Sequence, residues 1–195
     1  MITGHGDDGY LFNIKIRANF SSNVYYDGFP EGLKRHLISC MDKISNYPET
    51  NAQSLQLLLA QWHKLSAEQV LITNGATEAF YLIAHALRDK SVTVIIPSFA
   101  EYEDACRANN LQIQFLEWDE LNEQTSFTTD VVFFGNPNNP TGAIQTQATI
   151  QTILQHNPKS TFIIDEAYID FTKADISMVE VLNQFTNLII VKSLT

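Results

Sequence analysis

Asp165 stands directly behind Thr161-Phe162-Ile163-Ile164, a run apolar enough to be a buried strand. A carboxylate there is costly unless a cation meets it. Two cations suit it: magnesium, as in nucleotide-hydrolysing proteins, or a protonated pyridine nitrogen. The chain contains no Gly-x-x-x-x-Gly-Lys-Ser/Thr phosphate loop, which weighs against the first. Asn74-Gly75-Ala76-Thr77-Glu78 reads as a glycine turn opening a helix, whose free N–H groups and dipole suit a phosphate, although an ordinary capped turn has the same pattern. Pro97-Ser98-Phe99 puts an aromatic ring after another apolar run, where it serves either the core or a planar ligand. Gly135-Asn136-Pro137-Asn138-Asn139-Pro140-Thr141-Gly142 is too rich in proline and glycine for a helix or central strand. It is a rigid turn that fixes the direction of the Asn139 amide. Ser193 and Thr195, two hydroxyls one residue apart, could contact phosphate oxygens.

These residues share a setting, because each follows a short apolar run. Strands are expected at Val70–Thr73, Val92–Ile96, Ile113–Leu116, Val131–Phe134, Thr161–Ile164 and Leu188–Val191. Between them helical spacing predicts helices over Ala76–Leu87, Tyr102–Ala108 and Thr149–Leu154. Strands apolar on both faces that alternate with helices specify an α/β fold with a mostly parallel sheet covered on both sides. Ligands of such sheets bind beyond the carboxyl ends of the strands, where the polar residues above fall. Further upstream, Leu33, Leu37, Ile38 and Met41 recur at helical spacing from Pro30 to Ile44, and a second helix is expected from Gln53 to Leu65. The first thirty residues lack sustained periodicity and read as an irregular arm.

Twelve basic against twenty-two acidic side chains give a net charge of -10, with no basic stripe to neutralise nucleic acid. The only cysteines, Cys40 and Cys106, lie far apart and without metal-ligand spacing, which fits a reducing compartment. No signal peptide or membrane-spanning run is evident, so a cytoplasmic protein without a membrane partner is expected.

Taken in order, the Asn-Pro-Asn-Asn-Pro-Thr-Gly stretch at 136–142, Asp165-Glu166-Ala167-Tyr168 and Ser193-Leu194-Thr195 closely resemble the fold-type I aminotransferases of class I/II. The resemblance covers nearly the whole chain and is strongest to the branch containing histidinol-phosphate aminotransferase and threonine-phosphate decarboxylase. It implies a three-layer α/β sandwich, the large domain of pyridoxal-phosphate (PLP) enzymes. Gly75, Ala76 and Thr77, with Ser193 and Thr195, would cradle the cofactor phosphate, and Phe99 would stack on its ring. Asn139 and Tyr168 would bond its phenolic oxygen, and Asp165 would keep its pyridine nitrogen protonated so that the ring draws electrons from the substrate. Asp165, Tyr168 and Asn139 are therefore the candidate catalytic residues. Tyr47, before Pro48, resembles a tyrosine that reaches the phosphate in a partner subunit, which implies a homodimer with shared sites. Asn23 resembles a substrate-side asparagine, and no metal is implied.

The resemblance also implies a cofactor-holding lysine directly after Thr195 and a small C-terminal domain, absent from this chain, whose arginine grips the substrate carboxylate. The 195 residues alone are not expected to transaminate. Division into an arm with its first helix (1–48) and the first part of the PLP-binding domain (49–195) is expected. The leading expectation is a biosynthetic aminotransferase acting on a small amino acid or amino-phosphate. Decarboxylation of threonine phosphate in cobalamin synthesis comes next, supported by Gly4-His5-Gly6-Asp7, which resembles the His-Gly-Gly start of such decarboxylases except at Asp7. A non-catalytic module of the same fold is the third reading.

Overall fold

The computed structural model describes residues 9–23, 28–172 and 176–193. The described residues form two compact units, one up to Ile72 and the other from Thr73 onward.

The second unit holds a sheet of five parallel strands: β1 (Ser91–Ile96), β2 (Gln112–Glu117), β3 (Val131–Gly135), β4 (Thr161–Asp165) and β5 (Leu188–Val191). Their order is β2-β1-β3-β4-β5. In the three central strands successive side chains enter opposite cores, as the period of two in a strand demands. Val131, Phe133 and Ile163 point to one face with Phe80, Ala84, Tyr102 and Ala105. Val132, Phe134, Phe162 and Ile164 point to the other with Ile150, Ile153 and Leu154. The first face carries α3 (Gly75–Ala86) and α4 (Ala100–Ala108), and the second α5 (Gln147–His156). The expected layered α/β architecture is thus present. Strand β2 departs from the apolar pattern: Gln112, Gln114 and Glu117 are exposed, as suits a sheet edge.

The Thr146 hydroxyl starts α5 by accepting the Thr149 N–H at 3.1 Å. Thr146→Ala should lower stability by about 1 kcal/mol in a urea titration, because that N–H then loses its acceptor.

The first unit contains α1 (Glu31–Ser39), α2 (Gln53–His63) and short 3₁₀ turns at Gly9–Leu11, Met41–Ser45 and Ala67–Gln69. Two expectations fail here. The helix expected to run to Ile44 stops at Ser39. There the Ser39 hydroxyl donates to the His36 carbonyl at 2.7 Å, and the chain tightens into a 3₁₀ turn beyond Cys40. The strand expected at Val70–Thr73 is also absent. An apolar run becomes a strand only when a neighbour completes its ladder, and among the described residues none pairs with this one. The Val70 carbonyl is instead taken by the Gln56 side-chain amide at 2.6 Å, and Leu71 is exposed. Among the described residues no helix is long and apolar enough to cross a membrane.

Candidate functional site

Strand order changes direction between β1 and β3, and α/β sheets place their ligand crevice beyond such a point. A cleft of about 240 Å³ lies there within the second unit. It is lined by Gly75, Ala76 and Thr77 of α3, by Phe99, Asn139, Asp165, Tyr168 and Ser193, and by Asn74, Phe80 and Ala167.

At one wall, α3 begins with Gly75 at φ +75°, a left-handed conformation that glycine adopts without strain. Its N–H turns back to the Thr73 carbonyl at 2.9 Å, and the Thr73 hydroxyl donates to the Gly75 carbonyl at 2.8 Å. The Glu78 carboxylate accepts the Asn74 N–H. The next N–H groups, of Ala76 and Thr77, have no carbonyl one turn earlier to bond within the helix, so this end can receive an anion.

Asn139 enters from the loop after β3, which is tied down on both sides of it. The Asn136 amide exchanges two bonds with the Gln145 backbone, at 3.1 and 2.8 Å. The buried Asn138 amide donates to the Pro97 carbonyl at 3.0 Å and to the Thr141 hydroxyl at 2.7 Å. Gly142 N–H closes the turn onto the Asn138 carbonyl at 2.7 Å. The two neighbouring asparagines thus hold the loop, and Asn139 is left facing the cleft. Phe99 immediately precedes α4 and packs edge-on against Phe80 and Tyr102. Its ring therefore serves both core and cleft.

Asp165 ends β4 and is 7% exposed. Its Oδ1 accepts the Ala167 N–H at 2.9 Å and its Oδ2 accepts the Tyr102 hydroxyl at 2.6 Å. Among the described residues no cation lies within ion-pair distance of it. Burial pushes its carboxyl above the ordinary range, and the two hydrogen bonds, Tyr102 first, oppose that push. Glu166 turns away to a structural role. It accepts the Met178 N–H at 2.6 Å and the Ser177 hydroxyl at 2.7 Å, and it faces Lys192 at 3.7 Å. The adjacent acid pair is therefore divided between the cleft and the fold.

A pH dependence follows. The folded protein holds a proton on Asp165 at pH values where the unfolded chain has released it, so stability falls as pH rises from about 3.8 through the raised value. The stability of the parent relative to Asp165→Asn should decline across that window and then level off, as read by urea titrations at several pH values.

Of the residues singled out in the sequence, Gly75, Ala76, Thr77, Phe99, Asn139, Asp165, Tyr168 and Ser193 come together around one cleft. Asn23 and Tyr47 belong to the first unit, and Thr195 and the Gly4–Asp7 segment lie outside the described residues. Sequence reasoning missed Tyr102. It carries no motif signal, because its hydroxyl meets Asp165 from 63 residues away.

The model of the family Aminotransferase class I and II matches residues 15–195. Threonine-phosphate decarboxylase of Salmonella typhimurium is 30% identical over 91% of this chain and 52% of its own length. Histidinol-phosphate aminotransferase 1 of Mannheimia succiniciproducens is 29% identical over 90% of this chain and 51% of its own. The crystal structure of L-threonine-O-3-phosphate decarboxylase from Porphyromonas gingivalis superposes with a TM-score of 0.84, at 36% identity, over 89% of this chain and 56% of that one. The chain thus spans about half the length of the curated relatives it matches. Since the family model takes in every strand of the sheet and every described residue of the cleft, this chain belongs to the class I and II aminotransferases.

Proposed function

We propose that the cleft holds pyridoxal phosphate and that the full-length protein containing this chain acts on the amino group, or the adjacent carboxylate, of a phosphorylated amino substrate. The observation that carries this reading is Asp165. It is a buried carboxylate whose two oxygens are each held by one donor, with no cation among the described residues to balance it. A protonated ring nitrogen is the complement that site lacks.

The rest of the cleft fits the same group. The α3 N-terminus at Gly75, Ala76 and Thr77, with Ser193, suits its phosphate, and Phe99 suits its ring face. Asn139 and Tyr168 suit its phenolic oxygen. When bound, the group supplies an electron-withdrawing ring that accepts the electrons of a bond broken at the substrate's α-carbon. Asp165 holds the proton on the ring nitrogen that makes this withdrawal strong, and the pinned loop keeps the Asn139 amide in place. A lysine that holds the cofactor is expected to follow Thr195. Tyr47 is proposed to serve a second subunit's site in a homodimer, and Asn23 to meet the substrate.

The relatives include a threonine-phosphate decarboxylase at 30% identity and a histidinol-phosphate aminotransferase at 29%, which supports both activities alike. The test begins with the full-length protein. An absorbance band in the visible or near ultraviolet that borohydride locks onto the chain supports the cofactor reading, and a colourless protein that takes up no added PLP refutes it. Incubation with threonine phosphate, read for released carbon dioxide, and with histidinol phosphate plus a 2-oxo acid, read for amino transfer, then separates the two activities.

A further inference from the structure

Tyr102 sits on α4 and is 1% exposed. Its ring stacks on Phe133 at 4.3 Å and meets Phe80 edge-on at 5.1 Å. Such a slot would hold a phenylalanine equally well, and a buried hydroxyl is costly without a partner. The partner is Asp165 Oδ2. Their approach also constrains the sheet. Gly135, paired with Asp165 across β3 and β4, is a position where a Cβ would lie 3.0 Å from the Tyr102 hydroxyl oxygen and 3.3 Å from the Pro137 carbonyl. Two strands and a helix therefore converge on one O–H···O contact.

We propose that Tyr102 is a positioning residue that keeps the proton shared between Asp165 and a facing ring nitrogen on the nitrogen. This assignment rests on the pyridoxal-phosphate reading of the cleft. A carboxylate accepts a hydroxyl's hydrogen bond more strongly than a carboxylic acid does, so the contact favours the pair in which Asp165 is charged and the ring protonated. Burial acts in the opposite direction, toward a neutral acid beside a neutral ring. Tyr102 offsets it. One proton moves between the ring nitrogen and an Asp165 oxygen, and Tyr102 keeps its own. Burial first, and then the neighbouring Asp165 charge, push its hydroxyl well above the ordinary tyrosine range. The Ala167 N–H holds the other carboxylate oxygen, so the group presents a fixed orientation.

The test uses the full-length protein loaded with pyridoxal phosphate carrying ¹⁵N in the ring, read by nuclear magnetic resonance. The parent should show a protonated ring nitrogen, and Asp165→Asn supplies the neutral-ring reference. In Tyr102→Phe the resonance should move toward that reference, corresponding to an about tenfold lower ratio of protonated to neutral ring. Gly135→Ala keeps the tyrosine but crowds its hydroxyl and should move the signal in the same direction, so it carries the test if Tyr102→Phe does not fold. The double variant should go no further than Tyr102→Phe alone. An unchanged resonance in a folded, PLP-binding variant, or a neutral ring in the parent, overturns the inference and leaves the cofactor reading standing. A parent that binds no PLP overturns the cofactor reading itself.

Discussion

Asp165→Ala in the full-length protein should weaken pyridoxal-phosphate binding by about a hundredfold to a few thousandfold and lower turnover by at least as much. Removing one member of a buried charge pair typically costs 3–5 kcal/mol, and about 1.4 kcal/mol is a factor of ten. The substitution also strands two donors, the Tyr102 hydroxyl and the Ala167 N–H, that now have carboxylate partners at 2.6 and 2.9 Å. Turnover should suffer further, because a ring without its proton withdraws electrons poorly. Equilibrium titration of the apo-protein with the cofactor, followed by steady-state rates at saturating cofactor, separates the two effects. Binding and turnover both within threefold of the parent would mean that this carboxylate does not face the ring nitrogen.

Phe80→Ala should cost about 3–5 kcal/mol of stability, the usual range for truncating a fully buried aromatic. Phe80 has no exposed surface and contacts three rings at once: Phe133 at 5.4 Å, Tyr102 at 5.1 Å and Phe99 at 6.5 Å between centroids. It also lines the cleft, so its loss loosens the support of Phe99 and of the Tyr102 contact to Asp165. Denaturant titration measures the first effect, and weakened cofactor binding in the surviving folded protein the second. Phe80→Leu, which keeps more of the volume, should fall between the two. A loss below about 1 kcal/mol for Phe80→Ala would mean that the three rings close over the gap.

The parts of the site legible in the sequence are those set by local chemistry. Gly75 lies between an apolar run and a helical pattern, and the structure uses its positive φ there. The prolines around Asn138 and Asn139 announce a rigid turn, and Asp165 announces a charge at a strand end. The alternation within Val131–Phe134 and Phe162–Ile164 needs only the two-residue period of a strand to fill two cores. Each of these features depends on residues a few positions apart.

What only the tertiary structure decided depends on residues far apart in the chain. Val70–Thr73 has the composition of a strand, but hydrogen-bonded neighbours make a strand, and the Gln56 side chain takes the Val70 carbonyl instead. Asp165 and Glu166 are adjacent and chemically alike. The Met178 N–H and Ser177 draw one into the fold, while Tyr102 holds the other at the cleft. Tyr102 itself has no motif, because its role is created by a slot at Gly135 and by packing against Phe80 and Phe133. Local spacing thus determined which residues could do chemistry, and the parallel order of the strands decided which of them meet, since contacts over tens of residues arise from the packed sheet and not from sequence neighbours.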